Sequence, residues 1–216
     1  MTRKRGRAAV LVSLLAAVAA VAVAGCGSSP SPSSPTSVAV APTAPPTGVS
    51  WVTYQGVQIP CADQGPKESC WESAPGGFQH NGPGAALAAI SDTIRVSVAP
   101  DTDYQKVVGK RVYPSAARDD WLVARTQTQF RSPVAAGKAP ELVGYTVAEY
   151  TPQRAVINVI TRAHDGSLSQ VRTTEIWTAA GDWVRDFPAE SSSAPVVTAL
   201  AGPPANLIAL AAPKPN

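Results

Sequence analysis

The spacing of apolar residues changes once along this chain, near Ser132-Pro133, and this change restricts the possible fold more than any other feature. Before it, apolar side chains recur every three or four residues, which is typical of helices that bury one face. After it they alternate, which is typical of strands. Three helices are predicted: one from Pro83 through Ile94, one within Asp103–Val112, and one from Ser115 to about Phe130. Four strands are predicted: Glu141–Tyr150, Arg154–His164, Ser167–Thr178 and Trp183–Phe187.

This order predicts an α+β domain in which about three N-terminal helices pack on a curved antiparallel sheet of about four long strands. Asn81 or Gly82 suits the cap of the first helix and Pro83 its first turn. Asp165-Gly166 and Gly181-Asp182 suit hairpin turns, because Asp-Gly and Gly-containing pairs tolerate positive φ. The segment 51–59 is also rich in strand-forming residues, with a bend predicted at Gly56.

The N-terminus reads as an export signal. Arg3, Lys4, Arg5 and Arg7 precede an uncharged apolar run that ends in Val23-Ala24-Gly25-Cys26. This arrangement matches a bacterial lipobox, which predicts cleavage between Gly25 and Cys26 and a lipid on the Cys26 thiol. The alternatives are an ordinary signal peptide with a chance cysteine and an uncleaved anchor helix. We expect a protein anchored to the cell membrane by lipid, on its extracytoplasmic face.

Removal of the signal changes the charge of the protein. The whole chain has 18 basic and 15 acidic residues, and the signal holds four of the bases and no acid. The mature chain therefore has 14 basic and 15 acidic residues. Nucleic-acid binding needs a basic patch, so a nucleic-acid partner is not expected.

Composition divides the chain into four segments. Residues 1–25 form the predicted signal. Residues 26–50 form the lipidated cysteine followed by a Pro/Ser-rich tether, expected to be disordered, that reaches roughly 70 Å when extended. Residues 51–188 form the predicted domain. Residues 189–216 are an Ala/Pro-rich tail, expected to be loosely ordered and to pack on the domain.

Two cysteines remain once Cys26 carries a lipid. In an oxidising envelope we expect Cys61 and Cys70 to form a disulfide, with two free thiols as the alternative. No metal site is expected, since neither of the two histidines has ligand spacing. The sequence has no Ser-His-Asp order that would indicate a hydrolase triad. It also has no Gly-rich phosphate loop, and no cofactor is expected.

The candidate site residues are few. His80, before the first helix, would act as a general base or bind an anion at the helix start, although such a residue more often caps or packs in a loop. Trp51 and Trp71 flank the cysteine loop and are candidate binding residues. Glu175 shares a strand face with Trp177; a raised pKa is one interpretation, and a salt bridge at the rim with an arginine is the favoured one. The other polar strand residues, which alternation places mostly on the solvent face, are Tyr145, Glu149, Asn158, Arg162 and Arg172.

Helices followed by long strands and a closing Gly181-Asp182-Trp183 turn resemble the NTF2-like, cone-shaped fold. The stretches 77–80 and 83–89 resemble an uncharacterised family of secreted proteins and lipoproteins of high-GC Gram-positive bacteria, across about residues 50–188. A looser resemblance is to NTF2-like envelope domains of conjugation and type IV secretion machines. The resemblance implies the cone fold and an envelope location; it implies no activity.

We therefore expect a surface-exposed lipoprotein whose domain is non-catalytic and acts as a protein-binding or assembly module of the cell envelope. The alternative is a small-molecule-binding or isomerase-like enzyme that uses the pocket of the cone.

Overall fold

The computed structural model describes residues 40–189, 192 and 195–210, which lie within one compact unit, Ala39–Asn216. A β-hairpin precedes the helices, and the remaining strands follow them. The strands are β1 (Ser50–Tyr54), β2 (Val57–Cys61), β3 (Glu141–Tyr150), β4 (Arg154–Arg162), β5 (Leu168–Trp177), β6 (Trp183–Asp186), β7 (Val197–Leu200) and β8 (Ile208–Ala209). The helices are α1 (Gly82–Val98), α2 (Tyr104–Arg111) and α3 (Ala116–Arg125).

The described strands form two antiparallel sheets. β1 and β2 pair with each other, with the bend at Gly56. The main sheet has the order β6-β5-β4-β3-β8. β7 pairs with the first half of β5 and β6 with the second half, so both lie end to end along the same edge of β5.

Helix α1 begins where the cap residues predict. Asn81 is extended, and its side chain accepts a hydrogen bond from the Gly84 amide at 2.8 Å. The two glycines are needed because backbone passes very close to this first turn. A Cβ on Gly82 would lie 2.2 Å from the Pro42 carbonyl oxygen, and one on Gly84 would lie 2.1 Å from that of Gln79. Residues ahead of the predicted domain start therefore pack against α1.

Helix α1 fills the inner face of the main sheet. Its residues 82–96 are all buried, since its alanines allow close approach to β4 and β6. Ala155, Ile157 and Val159, on alternate positions of β4, are fully buried in the same core, as alternation predicts. A second apolar cluster joins the end of α1 to α2 and to Phe187 beyond β6.

The predicted fold class is wrong. The domain does not begin with three helices on a four-stranded sheet, because the β1–β2 hairpin comes first and the described strands number eight in two sheets. The NTF2-like cone is therefore not the architecture observed. β7 and β8, from the Ala/Pro-rich segment, extend the main sheet at both sides; their two to four residues are too short for a strand pattern to show in sequence.

Helix α3 ends at Arg125, five residues before the predicted end near Phe130. The chain turns back there because Phe130 and Asp101 exchange hydrogen bonds. The Asp101 amide donates to the Phe130 carbonyl at 3.1 Å, and the Phe130 amide donates to the Asp101 carboxylate at 3.0 Å. These contacts lie between residues far apart in sequence, so helical periodicity does not register them.

Candidate functional site

Arg111, at the end of α2, is the centre of a buried ionic network. Its guanidinium is 1% exposed and binds Asp92 of α1 with two parallel hydrogen bonds of 2.8 and 3.0 Å. It also donates to the Asp182 carboxylate at 2.7 Å and to the Trp183 carbonyl at 2.6 Å. One side chain therefore holds α1, α2 and the β5–β6 turn together.

Asp182 of the Gly-Asp-Trp turn continues this network to the loop before α1. Its carboxylate accepts hydrogen bonds from the amides of Gly77, Phe78 and Trp183, each at 3.0 Å. The indole N–H of Trp183 donates to the Gln79 carbonyl at 2.9 Å. This turn therefore has a structural role, which explains the need for Asp and Trp at these positions.

Glu175 and Arg185 form a second pair of buried ionisable residues, directly opposite each other on β5 and β6. Glu175 is 0% exposed and accepts from the Thr173 hydroxyl at 3.1 Å, whereas its other oxygen has no partner among the described residues. Arg185 is 8% exposed, and its Nε is likewise unpartnered within the described part of the chain. The two side chains face each other without a hydrogen bond between them.

Burial governs the ionisation of this pair. It raises the pKa of Glu175 well above its usual range, and the nearby Asp92 carboxylate adds to the rise while the Arg185 and Arg111 guanidiniums oppose it. Burial also lowers the pKa of Arg185. The favoured sequence interpretation, a rim salt bridge at Glu175, is wrong; the alternative of a raised pKa is confirmed.

A cavity of about 590 Å³ has Arg185 in its wall and lies between the end of α1, α3 and the residues Phe187, Pro188 and Val196; we call it the α1–α3 cavity. Its walls are mainly apolar and include Val96, Ala117, Trp121, Phe130, Phe187 and Val196. The Trp121 and Phe187 rings pack at 5.8 Å between centroids. Two arginines, Arg125 and Arg185, also line it. Ligand sites commonly have this size and this predominance of apolar wall.

The predicted disulfide between Cys61 and Cys70 is confirmed. Buried Arg95 of α1 supports its loop by donating to the carbonyls of Cys70 at 2.7 Å and Glu72 at 2.6 Å. The loop is therefore anchored to the helix that fills the core.

The predicted binding residues lie in different surroundings. His80 is exposed, stacks on Trp177 at 3.9 Å between ring centroids, and its Nε2 contacts the Pro152 carbonyl. Trp51 is half-buried and packs against the main core. Trp71 is 72% exposed. None of the three lines the α1–α3 cavity.

Gly25 and Cys26 lie outside the described residues. Among the residues the structure describes, no helix is long and apolar enough to cross a membrane. Within those same residues, no group of three or more His, Cys, Asp or Glu side chains is placed to hold a metal ion.

Sequence reasoning missed Arg185 and the cavity beside it. The signal that was present is the alternation Trp183, Arg185, Phe187, which places a charged residue on the inward face of β6 between two buried aromatics. Arg111 left a comparable signal, since it ends a helix whose inward face is otherwise valine. A charged side chain on an apolar face needs a buried partner or a ligand.

We predict that Glu175→Gln makes the stability of the protein less sensitive to pH. Because the folded-state pKa of Glu175 is raised, its stabilising contribution is complete below the unfolded value of 4.5 and is lost as pH rises through the folded pKa. Glutamine cannot ionise, so the variant should gain relative to wild type by up to about 1.4 kcal/mol per pH unit within that window.

Urea denaturation of both proteins at about pH 5 and about pH 8 measures this difference. Glu149→Gln, at an exposed site paired with Arg154, serves as the control and should follow the wild-type pH dependence. Identical pH dependence in Glu175→Gln and wild type would contradict the prediction.

Comparison with known proteins gives a family and no activity. A family model described as a domain of unknown function, DUF8175, matches residues 16–204. No curated protein matches the chain, and no solved structure matches it.

Proposed function

Because the chain belongs to the DUF8175 family of unknown function, we propose its function from its own site: a non-catalytic domain, lipid-anchored at the membrane, that binds a small apolar molecule in the α1–α3 cavity. The single observation that carries this proposal is the cavity itself, with its mainly apolar walls and two arginines. The aromatic pair Trp121 and Phe187 supplies a flat surface against which an apolar body packs.

A binding role is favoured over catalysis because three candidate reactive groups of the described residues, Asp92, Glu175 and His80, are occupied or inaccessible. Asp92 and Glu175 are both 0% exposed, so a substrate in the cavity does not reach their carboxyl oxygens. The His80 ring is held by stacking on Trp177 and by its contact with a backbone carbonyl. A general base has to reach the proton it removes.

The proposed location rests on the Val23-Ala24-Gly25-Cys26 motif and on the resemblance to secreted lipoproteins of high-GC Gram-positive bacteria. The Cys61–Cys70 disulfide supports it, because disulfides persist in oxidising compartments outside the cytoplasm. On this proposal the lipid on Cys26 keeps the domain close to the membrane.

An envelope protein partner is the second candidate, and Trp71 favours it. This side chain is 72% exposed, while the carbonyls of its neighbours Cys70 and Glu72 are held by Arg95. A large aromatic side chain on a fixed loop is typical of an interaction hot spot. Crosslinking from position 71 in live cells, followed by mass spectrometry, tests this candidate separately.

Filling the cavity tests the main proposal. In membranes of cells that produce the full chain, dodecan-1-ol carrying a photoreactive diazirine should label peptides that contain Trp121 or Phe187. Ala124→Trp should remove this labelling, because Ala124 lines the cavity at an exposed helix position where a larger side chain is tolerated.

Ala116→Trp is the matched control, since Ala116 is an exposed alanine of the same helix that does not line the cavity. It should retain wild-type labelling. Failure of the alcohol to label these peptides in the wild-type protein, or equal labelling in both variants, would overturn the proposed function.

A further inference from the structure

Arg185 brings a cationic head group to the wall of the α1–α3 cavity. Arg185 is only 8% exposed. Its Cζ lies 5.3 Å from the centre of the Phe187 ring, which is itself part of the cavity wall. No hydrogen bond or ion pair engages its guanidinium within the described part of the chain, and its Nε is fully enclosed. A buried guanidinium without such partners is costly, so this position favours an anion.

The second arginine of the cavity is already occupied. Arg125 donates to the carbonyls of Ala99 at 3.0 Å and Thr128 at 2.6 Å, and to the Asp101 carboxylate at 3.0 Å. Its guanidinium also lies 4.6 Å from the centre of the Phe130 ring. Among the described residues that line the cavity, Arg185 is therefore the cation left to meet a ligand.

Glu175, the neighbour of Arg185 on β5, does not supply the anion that the guanidinium needs. Glu175 lies directly opposite it across the strands, yet no hydrogen bond joins the two side chains, and the carboxyl group accepts from Thr173 instead. Burial raises the pKa of Glu175, which favours its uncharged form. Arg111 binds both Asp92 and Asp182. Arg154 and Arg172, which line a second pocket with Arg185 and Asp186, both bind Glu149.

We propose that the α1–α3 cavity binds a long-chain carboxylic acid, with its carboxylate on the Arg185 guanidinium and its hydrocarbon chain against Trp121 and Phe187. This inference rests on the proposed function and adds the chemical class of the ligand. A carboxylate matches the planar fork of one arginine with two hydrogen bonds. A phosphate monoester carries about −1.5 to −2 charges near neutral pH and would need more than the one available cation.

The test compares two photoreactive probes of equal length, dodecanoic acid and dodecan-1-ol, each with the same diazirine. Both are added to membranes that contain the full chain, and labelling is measured on peptides with Trp121 or Phe187. We expect the acid to label these peptides about tenfold more efficiently than the alcohol, since a hydrogen bond to a charged group contributes that much or more. Arg185→Gln should remove the preference for the acid, because the carboxylate then has no cation to bind.

Arg162→Gln is the control for loss of charge, because Arg162 is exposed at the end of β4 and lines no described cavity; it should retain the preference. Equal labelling by acid and alcohol in the wild-type protein would overturn the carboxylate inference and leave the cavity as a binding site. If neither probe labels these peptides, the proposed function is overturned as well. The wild-type comparison needs no variant, so it holds even where Arg185→Gln fails to fold.

Discussion

Arg111→Met is expected to lower the free energy of unfolding by about 3–5 kcal/mol, because it removes one partner from a buried ionic network. Asp92 is 0% exposed and binds Arg111 with both carboxylate oxygens. The substitution leaves this carboxyl group without its cation and deprives Asp182 and the Trp183 carbonyl of a donor. Methionine is long enough to fill much of the volume of the arginine side chain. The loss of stability therefore measures mainly the ionic network and not an empty space.

Urea denaturation at neutral pH measures this loss. Lys106→Met is the control: Lys106 and Glu72 form an ion pair with both side chains more than half exposed, and its removal should change stability by about 1 kcal/mol or less. The double variant Asp92→Leu, Arg111→Met should recover most of the lost stability, because no buried carboxyl group remains at position 92. A loss below about 1 kcal/mol in Arg111→Met would show that the network contributes little to stability.

Cys26→Ala is expected to abolish lipid attachment completely, because the sulfur of Cys26 is the atom of this motif that forms the thioether with the lipid. Each buried CH₂ of an acyl chain contributes about 0.8 kcal/mol to membrane binding, so the loss of the chains removes the anchor. Metabolic labelling with a fatty acid, followed by intact-mass analysis, measures the modification directly. The protein should then be released or retained as an unprocessed precursor.

Ser28→Ala is the matched control, because it lies two residues beyond the predicted cleavage site and keeps the four residues of the motif. It should carry the lipid label at the wild-type level. Lipid label that persists unchanged in Cys26→Ala would refute attachment at Cys26. Absence of lipid label in the wild-type protein would refute the anchor, and an uncleaved apolar helix would then explain membrane association.

Local features of the fold could be predicted because they depend on neighbouring residues. The cap at Asn81 acts through a hydrogen bond three residues away, and the Asp165-Gly166 turn is closed by contacts within a few residues. The strand Glu141–Tyr150 has its predicted bounds, because ten residues are enough for the alternation of apolar and polar side chains to be recognised. The overall architecture was predicted incorrectly, since strand order depends on pairing between distant segments.

The candidate site could be predicted only in part. Alternation assigns Glu175 to the same face as Trp177, but whether that face lies at a rim or in the interior depends on α1 and on the position of Arg185. The α1–α3 cavity combines residues from α1, α3 and the chain beyond β6, and its extremes, Val96 and Val196, are 100 residues apart. No spacing rule relates such residues.

The sequence by itself determined the features that short-range chemistry controls: the pairing of Cys61 with Cys70, the start of α1 and the hairpin turns. Lipid attachment at Cys26 stays a prediction. Only the tertiary structure decided that α1 fills the sheet, that Glu175 is buried and that Arg185 reaches a cavity wall. The reason is that burial and hydrogen-bond partners are properties of the packed chain. A charged residue on an apolar face shows in the sequence, whereas the partner or ligand that it meets depends on which distant elements pack against it.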